Sequence, residues 1–201
     1  MLEPHAHDLS ADELEALVQD LAGRPELWRD LVEHRPDART YAQLHRDEHV
    51  AVWLICWMDD HDTGYHDHDL SAGAVAVAVG AVREERLVLG GPPAARTTAA
   101  GDAFTFDPAD IHRVSHAGGE PAVTIHAYSP PLWRMGAYEV LPTGELRRWS
   151  LSYAEELRPI GATKGEGPLA LEALTWEGEE GRKRGCSSGP SPVIGKVPER
   201  L

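Results

Sequence analysis

The run AGAVAVAVGAV (72–82) alternates small and β-branched residues with no helical interval, and it decides the fold class. Upstream, HVAVWLICW (49–57) is β-branched and aromatic, the composition of a buried strand. Downstream follow ERLVL (85–89), AFTF (103–106), PAVTIHAYS (121–129), AYEVL (137–141) and RRWSLS (147–152). The segments between them, DDHDTG, GGPP, AAGD, HAGGE, SPP and PTG, are turn formers. Short strands at near-regular spacing, with no helical pattern between them, predict a mainly β antiparallel sandwich or small barrel.

Working outward, Ser10 and Glu13 have the spacing of a capping box, and Leu14, Leu17, Val18 and Leu21 recur at helical intervals. Gly23 ends that helix, and Pro25 is placed as the first residue of a second one carrying Leu27, Trp28, Leu31 and Val32. Residues 1–38 therefore read as an N-terminal helical segment packed on a barrel spanning 39–162. The extension over 163–201 is rich in Gly, Pro, Ser and charge, with one apolar patch at Leu169–Trp176, and its end reads as a flexible tail.

The 201 residues suffice for one domain with a real core. Against 19 Lys and Arg stand 33 Asp and Glu, a net charge of -14 that repels phosphate backbones. Nucleic acid and anionic membranes are poor partners for such a surface. The chain opens without a signal-peptide pattern and contains no apolar stretch of about 20 residues, so a cytoplasmic protein is expected, monomeric or a weak homo-oligomer. Cys56 lies in an apolar run and Cys186 in a Gly/Ser-rich segment, which gives no disulfide framework. Eleven histidines are the odd feature of the composition.

Two of them sit in Gly64-Tyr65-His66-Asp67-His68. On a strand, His66 and His68 share a face while Asp67 points away, so the two imidazoles can take adjacent positions on one metal. His112, in PADIHRVSH, opens another expected strand, and separate strands converge in a closed barrel. The competing reading is a pair of solvated surface histidines. Thr124, His126 and Tyr128 also share one strand face, with Val123, Ile125 and Ala127 on the other. That face is either a polar exterior or, if the barrel holds a metal, an inward relay.

The spacing of His66, His68, Gly73 and Gly80 resembles the first motif of the cupins, and PADIH resembles the second. Gly73 stands where that motif carries an acidic residue, and Pro108 is one residue closer to His112 than the motif has it. LICW (54–57), GYHDHDLSAGAVAVAVG (64–80), IHRVSH (111–116) and PAVTIHAYSPPL (121–132) together resemble the cupin-type thiol dioxygenases, typified by cysteine dioxygenase, over roughly 40–155. The resemblance implies a cupin-type β-barrel, or jelly roll, with N-terminal helices. It implies Fe(II) bound by His66, His68 and His112, and a Thr124-His126-Tyr128 relay matching the family's Ser-His-Tyr triad. Gly73 occupies the position of the Cys that some members crosslink to the tyrosine, so that crosslink is not expected. The implied reaction uses O2 to convert a small thiol to its sulfinic acid, with L-cysteine the first choice. The family's substrate-clamping Arg follows a Tyr by two residues; aligning Tyr41 there puts Gln43 in the slot, which favours 3-mercaptopropionate. A shift of that alignment brings His45 or Arg46 to the pocket instead. Outside this chemistry stand another metal-cupin reaction and a non-catalytic cupin that senses a metal or thiol.

Overall fold

A computed structural model describes residues 2–152. The extension over 163–201 lies outside the described residues. Among the described residues, one α-helix, α1 (Ala11–Ala22), precedes eleven strands. These are β1 (Thr40–Arg46), β2 (Ala51–Trp57), β3 (Tyr65–Asp67), β4 (Ala72–Val79), β5 (Ala81–Arg86) and β6 (Ala94–Ala99). They continue with β7 (Ala103–Phe106), β8 (His112–His116), β9 (Ala122–Ser129), β10 (Arg134–Val140) and β11 (Leu146–Ser152). One antiparallel sheet has the order β1-β2-β9-β4-β7 and the other β11-β10-β3-β8-β5-β6. This is a mainly β arrangement of two antiparallel sheets with one N-terminal helix, as the cupin resemblance implies.

The period of two sorts the side chains of the first sheet. Val52, Leu54 and Cys56 of β2, and Val123, Ile125 and Ala127 of β9, pack against Leu14, Val18 and Leu21 of α1 and against Trp28. The alternate residues Ile55, Trp57, Val75, Val77 and Tyr128 face Val82, Val114 and Met135 of the second sheet. Strand β9 is thus covered on both faces, and all eight of its residues are buried. The capping box is present: the Ser10 amide donates to Glu13 at 2.8 Å and the Glu13 amide to Ser10 at 3.4 Å.

Three local features differ from the sequence reading. In place of a second helix there are two single 3-10 turns, Pro25–Leu27 and Arg29–Leu31. Leu27 and Leu31 stay exposed, so the apolar residues of this segment do not form one buried helical face. Trp28 goes inward, where its indole N–H donates to the Leu21 carbonyl at 2.9 Å, and Val32 packs half-buried against the same core. The run 72–82 is two strands in two sheets, because Gly80 (φ 68°) turns the chain between them. A Cβ there would sit 3.0 Å from Ala122, so glycine suits the position twice over. The following strand accordingly occupies Ala81–Arg86, and Val88 and Leu89 are exposed beyond it. Strands β1 and β6 have few buried residues and so gave no clear apolar pattern.

Truncating Leu14 to Ala should cost about 2–5 kcal/mol in urea unfolding, since it removes a fully buried side chain between helix and sheet. Leu89→Ala, at an exposed position, should stay within about 0.5 kcal/mol of the parent.

Candidate metal centre

Strand β3 brings His66 inward and the turn after it brings His68, while β8 opens with His112 directly opposite His66 in the ladder. The ring centroids lie 4.8 Å apart for His66 and His68, 4.7 Å for His66 and His112, and 5.1 Å for His68 and His112. One ligand atom from each falls within 4.8 Å of the others, and all three residues are buried. Burial pushes the His66 and His68 imidazoles well below their ordinary pKa, and the neighbouring imidazoles push the same way. Both are neutral, as metal ligands must be.

Hydrogen bonds fix two of the tautomers. His66 Nδ1 lies 2.9 Å from the Gly64 carbonyl, which can only accept, so Nδ1 carries the proton and Nε2 the lone pair. His112 Nδ1 lies 2.8 Å from Glu84, a carboxylate buried among Arg86, Arg96 and His112. Burial pushes the Glu84 carboxyl up, but the His112 hydrogen bond and the Arg86 guanidinium outweigh it and hold the pKa at about 2. Glu84 therefore accepts from Nδ1 and leaves the His112 Nε2 lone pair directed away from it. That Nε2, and His68 Nδ1, are buried without a hydrogen-bond partner. Unpaired buried polar atoms cost about 1–3 kcal/mol each. Two of them on converging imidazoles fit a divalent metal ion.

Asp67, between the two ligands, points the other way, as strand alternation requires. Its carboxylate accepts from the Gly136 amide at 2.9 Å and from Arg148 at 3.1 and 3.2 Å, and also from the Tyr138 hydroxyl. These bonds tie β3 to β10 and β11 and so fix the strand that presents His66 and His68.

The Thr124, His126 and Tyr128 face is internal. Trp57 Nε1 donates to Thr124 Oγ1 at 2.8 Å, and Thr124 Oγ1 lies 2.8 Å from His126 Nε2. His126 Nδ1 lies 3.3 Å from the Tyr128 hydroxyl. Burial, with the Arg39 charge adding to it, lowers the His126 pKa to about 3. The Tyr128 ring is 5.3 Å from that of His68, and His126 and Tyr128 line one cavity with the three converging histidines. Gly73 faces Tyr128 across the β4–β9 ladder, and Phe106 fills the space where a side chain at 73 would project.

Among the residues considered for substrate binding, Tyr41, Gln43 and Arg46 do not line this cavity. Tyr41 is exposed and meets Trp53 edge-on at 6.1 Å, Gln43 pairs with Trp53, and Arg46 ends the edge strand. His45 turns to Asp47. Arg39 lines the cavity instead, buried, with its guanidinium 5.3 Å over the Trp57 ring. It also lines an outer cleft of about 830 Å³ that includes His61, Tyr65 and Arg113. Arg39 lies four residues before Gln43, about 13 Å along the strand, which separates the two. Sequence reasoning missed both Arg39 and Glu84. The available signals were the position of Arg39 two residues before Tyr41, on the same strand face, and a charge at Glu84 in phase with Val82.

The model of the family described as "Cysteine dioxygenase type I" matches residues 5–140. The chain belongs to this family. A curated relative, cysteine dioxygenase type 1 of Danio rerio, is 25% identical over 136 residues, covering 61% of this chain and 67% of the relative. Solved structures similar in fold include a cupin superfamily protein from Desulfitobacterium hafniense, with TM-score 0.44 and 12% identity over 51% of this chain and 87% of that one. Another is a Klebsiella pneumoniae protein with a double-stranded β-helix domain, with TM-score 0.45 and 13% identity over 60% of this chain and 91% of that one. Among the described residues, no helix is long and apolar enough to cross a membrane.

Glu84→Gln keeps the shape but weakens the acceptor that orients His112. Metal affinity, measured by competition with a chelating dye, should fall about 10- to 100-fold. Unchanged affinity would mean that His112 is held by packing alone.

Proposed function

We propose that the protein is a non-haem Fe(II) thiol dioxygenase that converts a small carboxylate-bearing thiol, L-cysteine first among them, to its sulfinic acid. The observation that carries this reading is one cavity lined by three converging buried imidazoles, a tyrosine relay and a buried guanidinium, in a member of the cysteine dioxygenase type I family. The reaction balances as RSH + O2 → RSO2⁻ + H⁺: the S–H and O–O bonds break, two S–O bonds form, sulfur is oxidised and O2 reduced.

His66, His68 and His112 would hold the iron. Bound there, Fe(II) supplies the one-electron chemistry that lets triplet O2 react with a thiolate. Three neutral ligands leave its full charge in place, which favours an anionic sulfur donor. The Tyr128 hydroxyl donates a hydrogen bond to oxygen arriving at sulfur, and His126 orients that hydroxyl with Thr124 and Trp57 behind it. With a pKa of about 3, His126 stays neutral and positions rather than stores a proton. Arg39 offers the planar fork from which a substrate carboxylate accepts hydrogen bonds, in place of Gln43. 3-Mercaptopropionate carries the same carboxylate and is the second substrate to expect.

Oxygen uptake by the iron-loaded protein should depend on cysteine or 3-mercaptopropionate and be much slower with cysteamine, which has no carboxylate. Tyr128→Phe should slow turnover about 10- to 1,000-fold with iron content unchanged. Arg39→Met should raise KM for the carboxylate thiols while leaving cysteamine unaffected. No thiol-dependent uptake with any of these compounds would leave a non-catalytic metal- or thiol-binding cupin as the better reading.

A further inference from the structure

Three of the eleven histidines, His5, His45 and His49, bond to Asp47 just past the end of β1. Two of them converge on one atom. His5 Nδ1 lies 2.8 Å and His45 Nε2 2.9 Å from the same oxygen, Asp47 Oδ2. One ligand atom from each of His5, His45 and Asp47 falls within 4.8 Å of the others. The rings meet edge to face at 5.7 Å. We propose that His5, His45 and Asp47 form a second divalent-metal site, of the zinc class, that fastens the N-terminal segment to the β1–β2 turn.

The hydrogen-bond count supports a cation. Oδ2 also accepts the His5 backbone N–H at 2.8 Å, while Oδ1 accepts the amides of His49 and Val50, each at 2.8 Å. Five donors thus crowd a carboxylate with about four lone-pair sites, and three of the five share one oxygen. A single cation among the three side chains replaces the two imidazole protons that compete for Oδ2. The backbone amides remain and hold the carboxylate in place, as outer-shell donors do in metal sites.

The donor set is appropriate. Two imidazoles and a carboxylate, with water in the fourth position, form a common zinc environment. At zinc–nitrogen and zinc–oxygen distances of about 2.0–2.2 Å, the edges of a tetrahedron are about 3.3–3.5 Å. The two N···O contacts must therefore open by about half an ångström, within reach of small rotations of side chains that are only part-buried. Burial pushes the Asp47 carboxyl up, but hydrogen bonds from His45 and His5 outweigh it and keep it well below the usual range. The site also adjoins the barrel: Leu9 N donates to Ser129 Oγ at 2.8 Å and Ser129 Oγ to the His49 carbonyl at 2.6 Å, one residue past Tyr128.

The test uses the full-length protein dialysed to equilibrium against Zn2+ near neutral pH, with bound metal measured by elemental analysis. Wild type should retain about one more zinc per chain than the His5→Ala/His45→Ala variant. A His66→Ala/His68→Ala variant should lose a different equivalent, and the two losses should add. Amide exchange over residues 5–10 and 45–50 should slow on adding Zn2+ to wild type and not to the His5→Ala/His45→Ala variant. Should that double variant fail to fold, His5→Ala alone changes only the N-terminal segment and must show the same loss. Equal zinc content with unchanged exchange would overturn the proposal and leave the cluster a hydrogen-bonded clamp.

Discussion

Strand β9 is buried on both faces, and the rest of the structure follows from how that is achieved. An antiparallel sheet ordinarily has one face on a core and the other toward water. Here α1 and Trp28 cover the face carrying Val123, Ile125 and Ala127, and the second sheet encloses the face carrying Thr124, His126 and Tyr128. Without the helix, an apolar face would be left in water. With it, three hydrogen-bonding side chains go to the interior, where they must satisfy one another. Trp57, Thr124, His126 and Tyr128 form a continuous chain of contacts for that reason.

The same low-polarity interior sets the electrostatics of the metal centre. Burial keeps His66, His68 and His126 neutral, so the cavity presents lone pairs and N–H groups rather than imidazolium charge. The charge that is present lies one shell out. Glu84 is neutralised by Arg86 and Arg96 while it orients His112, and Asp67 is neutralised by Arg148 while it anchors the strand bearing His66 and His68. Each carboxylate thus directs a ligand without facing the metal position. An ion in that position would keep its positive charge and attract a thiolate.

Much of this was legible in the sequence, and the reasons for the gaps are physical. The shared faces of His66 with His68, and of Thr124, His126 and Tyr128, follow from the period of two along a strand, which holds whether one face is buried or, as in β9, both are. The choice between a polar exterior and an inward relay at Thr124, His126 and Tyr128 depended on α1 covering the other face, which is a tertiary fact. Edge strands β1 and β6 have largely exposed side chains and so had little pattern to read. Arg39 was missed because β1 itself was not seen, which left its register against β2, and therefore which residue reaches the cavity, without a guide. The second helix failed for the converse reason: Leu27, Leu31 and Val32 have helical spacing, but only Val32 finds core to pack against while Leu27 and Leu31 stay exposed.

The central claim is that the three histidines support insertion of both atoms of O2 into a thiol. Turnover of the iron-loaded protein with cysteine under 18O2, read by mass spectrometry of the product, tests it most directly. The expected product is a sulfinic acid carrying both labelled oxygens. A product with one labelled oxygen or none, or a disulfide formed in place of the sulfinate, would contradict it.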